Sequence, residues 1–265
     1  MSPIQLERLR PQINAVVSQY QTSDIFIQSL KSLLESYHGD IEISSAGISP
    51  YSLIPKLNIP NVILNQLEIS LQFLAHKHPV QTIEIVNKLW VEKELEYKSI
   101  AIFLLSNLPK NMLDVYFGKV EEWINQDTEA ALINVIMENS YTNPEIYKSD
   151  YWLSLVERWL VSKSYHVRKV GISSLTHMVT SDSFQILPAF FRMVELIFND
   201  LHVSLHKDLM QLIQSMTEYS QPETAAFLIH LAIISPRKEI FTIIRKFLPF
   251  FDNFYANEIK NNIPD

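Results

Sequence analysis

The sequence predicts an all-α protein whose helices pair into repeats and stack as a right-handed α-α superhelix, a solenoid. Three observations predict it. Only four glycines occur in 265 residues, too few for the turns of a hairpin-rich fold. Alternating β-branched runs of the kind that mark half-buried strands are uncommon. Bulky apolar segments also return at a spacing of 34 to 38 residues, the pattern of stacked supersecondary units that cannot bury their apolar faces alone.

Residues 1–78 read as divergent N-terminal helices. They are interrupted over 40–60 by DIEISSAGISPYSLIPKLNIP, whose three prolines and one glycine predict a long loop or irregular connection. Repeats then fill 79–250, with segments starting at Val86, Val120, Val156, Val194 and Leu228. In each, a bulky residue follows three positions later (Leu89, Trp123, Trp159, Ile197, Leu231), then a polar break, then a second apolar run. Trp123 and Trp159 share a repeat position and read as packing residues. Pro60, Pro79, Pro109, Pro144, Pro222 and Pro236 precede or open apolar runs, where a missing N–H is tolerated. The period is short for HEAT or armadillo repeats and fits their looser HEAT-like variants. The chain therefore reads as one HEAT-like-repeat domain over 1–265, with a plain antiparallel bundle as the alternative packing.

Composition removes several function classes. With 47% apolar and 19% charged residues the chain is an ordinary folded protein. Its start lacks a basic region followed by an apolar core, and no stretch has the roughly 18 uncharged apolar residues of a membrane span. A soluble, cytoplasmic protein with no membrane partner is expected. The absence of cysteine excludes disulfides, thiol nucleophiles and Cys-based metal sites. No glycine-rich phosphate loop or Gly-x-Ser-x-Gly elbow is present, so neither nucleotide-dependent nor Ser-nucleophile chemistry has support. His202 and His206 are spaced to share a helix face, but no third ligand or metalloprotease Glu accompanies them. No metal and no small-molecule cofactor is expected. His76 and His78 read as turn residues, and His38 fits a helix C-terminus.

The net charge of −7 is unevenly spread. Residues 1–150 carry 11 Lys and Arg against 18 Asp and Glu, whereas 151–265 carry 11 of each. In VERWLVSKSYHVRKVGISSLTHMV the basic pair Arg168–Lys169 falls where a second helix should begin. In the repeat register Lys98, Arg168 and His206 share that position, Lys169 and Lys207 share the next, and Arg237 and Lys238 open the last such helix. Cations at a helix N-terminus oppose the macrodipole. Two readings follow: a stripe of cations aimed at a phosphate backbone, or solvated helix starts and intramolecular pairs with Glu157, Asp182, Asp200 and Asp208.

LWVEKELEYKSIA resembles the Leu-Trp, acidic, Glu-aromatic, Ala signature of the bacterial DNA alkylation repair family, the HEAT-like-repeat DNA glycosylases. SYHVRKVGI is similar to the family's Trp-x-Arg-Arg-x-Ala stretch, with His166 in the Trp position. SLHKDLMQLIQS resembles its Phe-x-x-Lys-Ala-x-x-Trp-x-Leu-Arg-Glu stretch, keeping Lys207 and the apolar spacing. LNIP is a degenerate echo of its Gly-x-x-x-Pro turn, and the resemblance spans roughly Val86 to Leu231. It implies a concave surface that holds damaged duplex without flipping the base, with two tryptophans and an aspartate facing the lesion. Aromatic faces attract a cationic alkylated base, and a carboxylate stabilises the oxocarbenium-like charge as the glycosidic bond breaks. Ungapped alignment of VEEWINQDTEAALINVI places Ala130 at the first Trp and Asn134 at the Asp. The second Trp falls on Gln211.

With all three matched residues replaced, family-type catalysis is not expected. The resemblance then implies a relative that binds duplex DNA or another nucleic acid through Lys98, Arg168, Lys169, Lys207, Arg237 and Lys238. A protein-interaction scaffold with an acidic docking surface is one alternative. A glycosylase with a rearranged site, its carboxylate drawn from Glu129, Asp127 or Glu138, is another.

Overall fold

The computed structural model describes residues 6–38, 54–126, 128–181 and 188–264, and among these every regular element is helical. The chain divides into two compact units, Met1–Tyr147 and Lys148–Asp265. No helix among the described residues is long and apolar enough to cross a membrane.

The first unit runs α1 (Leu6–Val17), α2 (Ser23–Ser36), α3 (Asn61–Lys77), α4 (Pro79–Trp90), α5 (Leu95–Ser106), α6 (Leu113–Asn125), α7 (Ala130–Thr142) and the short α8 (Pro144–Tyr147). The second runs α9 (Asp150–Leu160), α10 (Tyr165–Thr180), α11 (Pro188–Asn199), α12 (His206–Tyr219), α13 (Gln221–Ile234), α14 (Lys238–Phe247) and α15 (Asn253–Asn261). A 3-10 turn precedes α6 and another precedes α12, at Val203–Leu205.

Packing follows chain order. In the first unit α1 contacts α2 and α3, α4 contacts α2, α3 and α5, and α5 contacts α3 and α7. In the second, α10 contacts α9, α11 and α12, and α12 contacts α13 and α14. The recurring apolar residues explain the pattern. Val86, Val120, Val156, Val194 and Leu228, on α4, α6, α9, α11 and α13, are each 0% exposed, and the residues three positions later are at most 3% exposed. Burying each such side chain contributes about 1.5–3 kcal/mol. The i, i+3 spacing turns both onto one face.

Several prolines stand at helix starts: Pro60 caps α3, Pro79 opens α4, Pro144 opens α8 and Pro222 is in the first turn of α13, whereas Pro11 lies within α1. Ser149, Ser164 and Asp252 accept from the first-turn N–H groups of α9, α10 and α15, supplying partners that a helix start lacks. Buried hydroxyls are paired as well, Tyr116 with Ser140 at 2.6 Å and Tyr20 with Thr82 at 2.7 Å. Burial pushes the Tyr20 hydroxyl up to about 12, against a smaller opposing effect of the Thr82 bond.

Of the irregular connection expected at 40–60, residues 40–53 lie outside the described residues. Residues 55–60 have no regular structure and are fastened to α5. Asn58 takes a left-handed backbone, φ 54°, and the Leu57 and Asn58 N–H groups both donate to the Glu96 carboxylate at 2.9 Å. Leu95 N–H donates in return to the Pro55 carbonyl at 2.8 Å. Glu96 is the Glu of the Glu-aromatic signature. It is 7% exposed, and a carboxylate at that depth requires such donors.

Candidate nucleic-acid interface

The basic residues at second-helix starts divide into two groups. Arg168, on the first turn of α10, is 3% exposed. Its guanidinium donates to Asp200 Oδ2 at 2.8 Å and also to the Asp200 backbone carbonyl. Arg237, just before α14, donates to the carbonyls of Phe198 and Asn199. The two arginines therefore converge from opposite sides in sequence on the C-terminal end of α11, which has no basic residue in its own last turn. Four carbonyls at a helix end lack internal partners. A cation placed there contributes about 0.3–1 kcal/mol, and up to about 2 where partly buried.

Lys98 does the same in the first unit. Its Nζ donates to the carbonyl of Trp90, the last residue of α4, and lies 4.7 Å from the centroid of the Trp90 ring. Trp90 stacks in turn on Trp123, with centroids 3.8 Å apart and planes 10° from parallel. Desolvation lowers the Lys98 pKa, and Glu92 opposes it. These three cations thus relieve the ends of neighbouring helices, which offsets the unfavourable charge at the start of their own.

The remaining cations differ in exposure. Lys207 and Lys238 are exposed and make no salt bridge among the described residues, and Lys169 is half-buried. Lys169 and Lys207 both act on Asp208, whose pKa burial raises and the two lysines lower. His206, in the repeat position of Lys98 and Arg168, is held below its ordinary value by desolvation, by Lys246 and by His202.

The positions aligned with the lesion-facing residues are accessible. Ala130 opens α7, and Asn134 and Glu138 follow at successive turns, all three exposed along one face. Gln211 is exposed on α12, one turn beyond Lys207. Ala130 and Asn134 belong to the first unit and Gln211 to the second. Of the other carboxylates in this stretch, Glu129 caps α7 and Asp127 lies outside the described residues, as does Asp182.

His202 and His206 do not share a helical face, because α12 starts only at His206 and the 3-10 turn separates them. His202 Nδ1 accepts from the Ser204 N–H at 3.2 Å. Its ring stacks on Tyr165, an arrangement with no signal in the sequence because the partners lie in different helix pairs. No group of three or more His, Asp or Glu suited to a metal ion occurs among the described residues.

Within the basic-pair stretch, Gly171 is glycine for a steric reason. A Cβ there would lie 2.9 Å from Leu160 Cδ2 and 3.0 Å from the Leu160 backbone nitrogen, where α10 crosses α9.

Residues 64–239 match the family of DNA alkylation repair enzymes. No curated protein matches the chain.

Proposed function

Because the chain belongs to the DNA alkylation repair enzyme family, we propose that it is a nucleic-acid-binding member that does not break glycosidic bonds. In this reading the helix pairs form a right-handed superhelix of HEAT-like repeats in a cytoplasmic protein. Its concave face takes duplex DNA through Lys169, Lys207 and Lys238. The carrying observation is the exposed face of α7, where Ala130 and Asn134 occupy the aligned positions with neither an aromatic ring nor a charge. An Asn amide does not stabilise a developing cation as a carboxylate does, and one such group is commonly worth a few kcal/mol of barrier, about 3. Cation-π selection of an alkylated base is missing for the same reason.

Two specific observations favour other readings. Glu138 puts a carboxylate one turn beyond Asn134 on the same exposed face, the arrangement a rearranged glycosylase would use. On α3, Ile69 and Phe73 are 67% and 69% exposed beside a cavity of about 550 Å³ that Lys110 and Glu145 rim, a surface suited to a protein partner.

One pair of assays separates the three. Purified protein is expected to bind blunt duplex DNA at low salt and to release no methylated purine from alkylated duplex above a no-enzyme control. Base release that disappears in Glu138→Gln establishes the rearranged enzyme instead. Absence of duplex binding at low salt leaves the protein scaffold.

A further inference from the structure

Tyr165 and His202 form an exposed aromatic ledge on the second unit. Their rings lie face to face, centroids 4.0 Å apart and planes 16° from parallel. Tyr165 is the first residue of α10 and 40% exposed, and His202 is exposed just ahead of α12. An aromatic pair with a clear contribution to the core would be buried, as Trp152 and Trp159 are.

Arg168 links the two elements that carry the rings. Arg168, one turn into α10, lies 5.9 Å from the Tyr165 centroid. The same guanidinium grips Asp200 through both carboxylate and carbonyl, which fixes the backbone leading into His202. Ser204 pins the His202 ring through its N–H and hydroxyl. These contacts hold the two rings together without a ligand, which lowers the ordering cost of binding.

A lysine follows each ring in the chain. Lys169 follows Tyr165 by one turn of α10 and Lys207 stands at the start of α12, both close enough to Asp208 to act on its carboxyl. Solvent-exposed aromatic side chains near lysines are a recognition chemistry of unpaired nucleobases, which stack on rings while their phosphates meet cations. A base inside a duplex has both faces covered and offers nothing to such a ledge.

We propose that Tyr165 and His202 form a stacking site for an unpaired base of a DNA strand, at an overhang or a bulge. The proposal rests on the nucleic-acid reading above and names a feature of DNA that duplex binding alone does not require.

The test uses the full chain at low salt. Its probes are a blunt duplex and the same duplex with a short single-stranded overhang carrying 2-aminopurine at the junction. Wild type is expected to bind the overhang at least about fivefold more tightly than the blunt end, the effect of one base–aromatic stack, and to quench the 2-aminopurine emission. Tyr165→Ala should lower overhang binding to the blunt level, abolish the quench and leave blunt binding unchanged. Tyr165→Phe should retain both preference and quench. Equal binding of the two probes by wild type, or a preference that survives Tyr165→Ala, overturns the ledge while leaving duplex binding intact. If neither probe binds, the nucleic-acid reading itself falls and the ledge with it.

Discussion

The Arg168 guanidinium, buried in the second unit, reaches both the carboxylate and the backbone carbonyl of Asp200. The two contacts differ in what sustains them. The Asp200 side chain is 80% exposed while that of Arg168 is 4% exposed, so the ion pair is screened from the carboxylate side.

Arg168→Ala should therefore destabilise the protein by about 2–3 kcal/mol, since it removes packing, a charge-assisted bond and the cation at the end of α11. Asp200→Asn should cost less than about 1 kcal/mol, because the backbone carbonyl and the new amide oxygen still accept from Arg168 and the carboxylate being replaced is solvent-screened. Urea unfolding of both variants measures this. Equal costs would show that the carboxylate, not the helix end, is what Arg168 serves.

Duplex binding should depend on salt through three lysines. Lys169→Ala, Lys207→Ala and Lys238→Ala are each expected to flatten the log–log salt dependence by up to about 0.9, the release of counterions for one phosphate contact. Stability should barely move. A slope unchanged in the triple variant would place the DNA elsewhere on the molecule.

His206 gives the fold a defined pH dependence. Its pKa in the folded state lies below the ordinary 6.5, through desolvation, Lys246 and His202. The folded state therefore takes up a proton less readily than the unfolded chain. The stability that the neutral ring contributes is complete above about pH 6.5 and is lost as pH falls toward the lowered value. Replacing His206 with Gln should shrink the loss of stability between pH 7.5 and 5.5. Urea midpoints whose difference across that range matches wild type would contradict this origin.

The two described glycines should respond to alanine with opposite signs. Gly118 lies exposed within α6 with nothing within 4 Å of a built Cβ, so Gly118→Ala should stabilise by about 0.5–1 kcal/mol through helix propensity. Gly171→Ala meets Leu160 below 3.0 Å and should destabilise by about 1–3 kcal/mol. Thermal melts of the two variants, shifted in opposite directions, are the expected outcome, and a shared direction would contradict the steric account.

The helix pairs were legible because their cause is periodic. Val86, Val120, Val156, Val194 and Leu228 recur in sequence and are all fully buried, since one apolar face per helix must be covered. The roles of the cations were not legible. Lys98, Arg168 and Arg237 bind backbone carbonyls, and every residue carries a carbonyl, so no side-chain pattern marks the partner. Glu96 was visible only as part of a signature. Its donors are the N–H groups of Leu57 and Asn58, brought to it by a connection whose course the composition does not specify. At the aligned site the residue types of Ala130, Asn134 and Gln211 were readable from the first, whereas their accessibility on α7 and α12 required coordinates.

The four tryptophans are shared equally between the units: Trp90 and Trp123 in the first, Trp152 and Trp159 in the second. The first pair lies nearly parallel at 3.8 Å, the second nearly perpendicular at 5.5 Å. Coupling between two indole transitions depends on their distance and mutual angle, so each unit carries its own chromophore pair with a distinct near-ultraviolet signature. Replacing Trp90 and Trp152 in turn by Phe would silence one reporter at a time. The loss of order in each half of the chain then becomes separately observable in a single unlabelled protein.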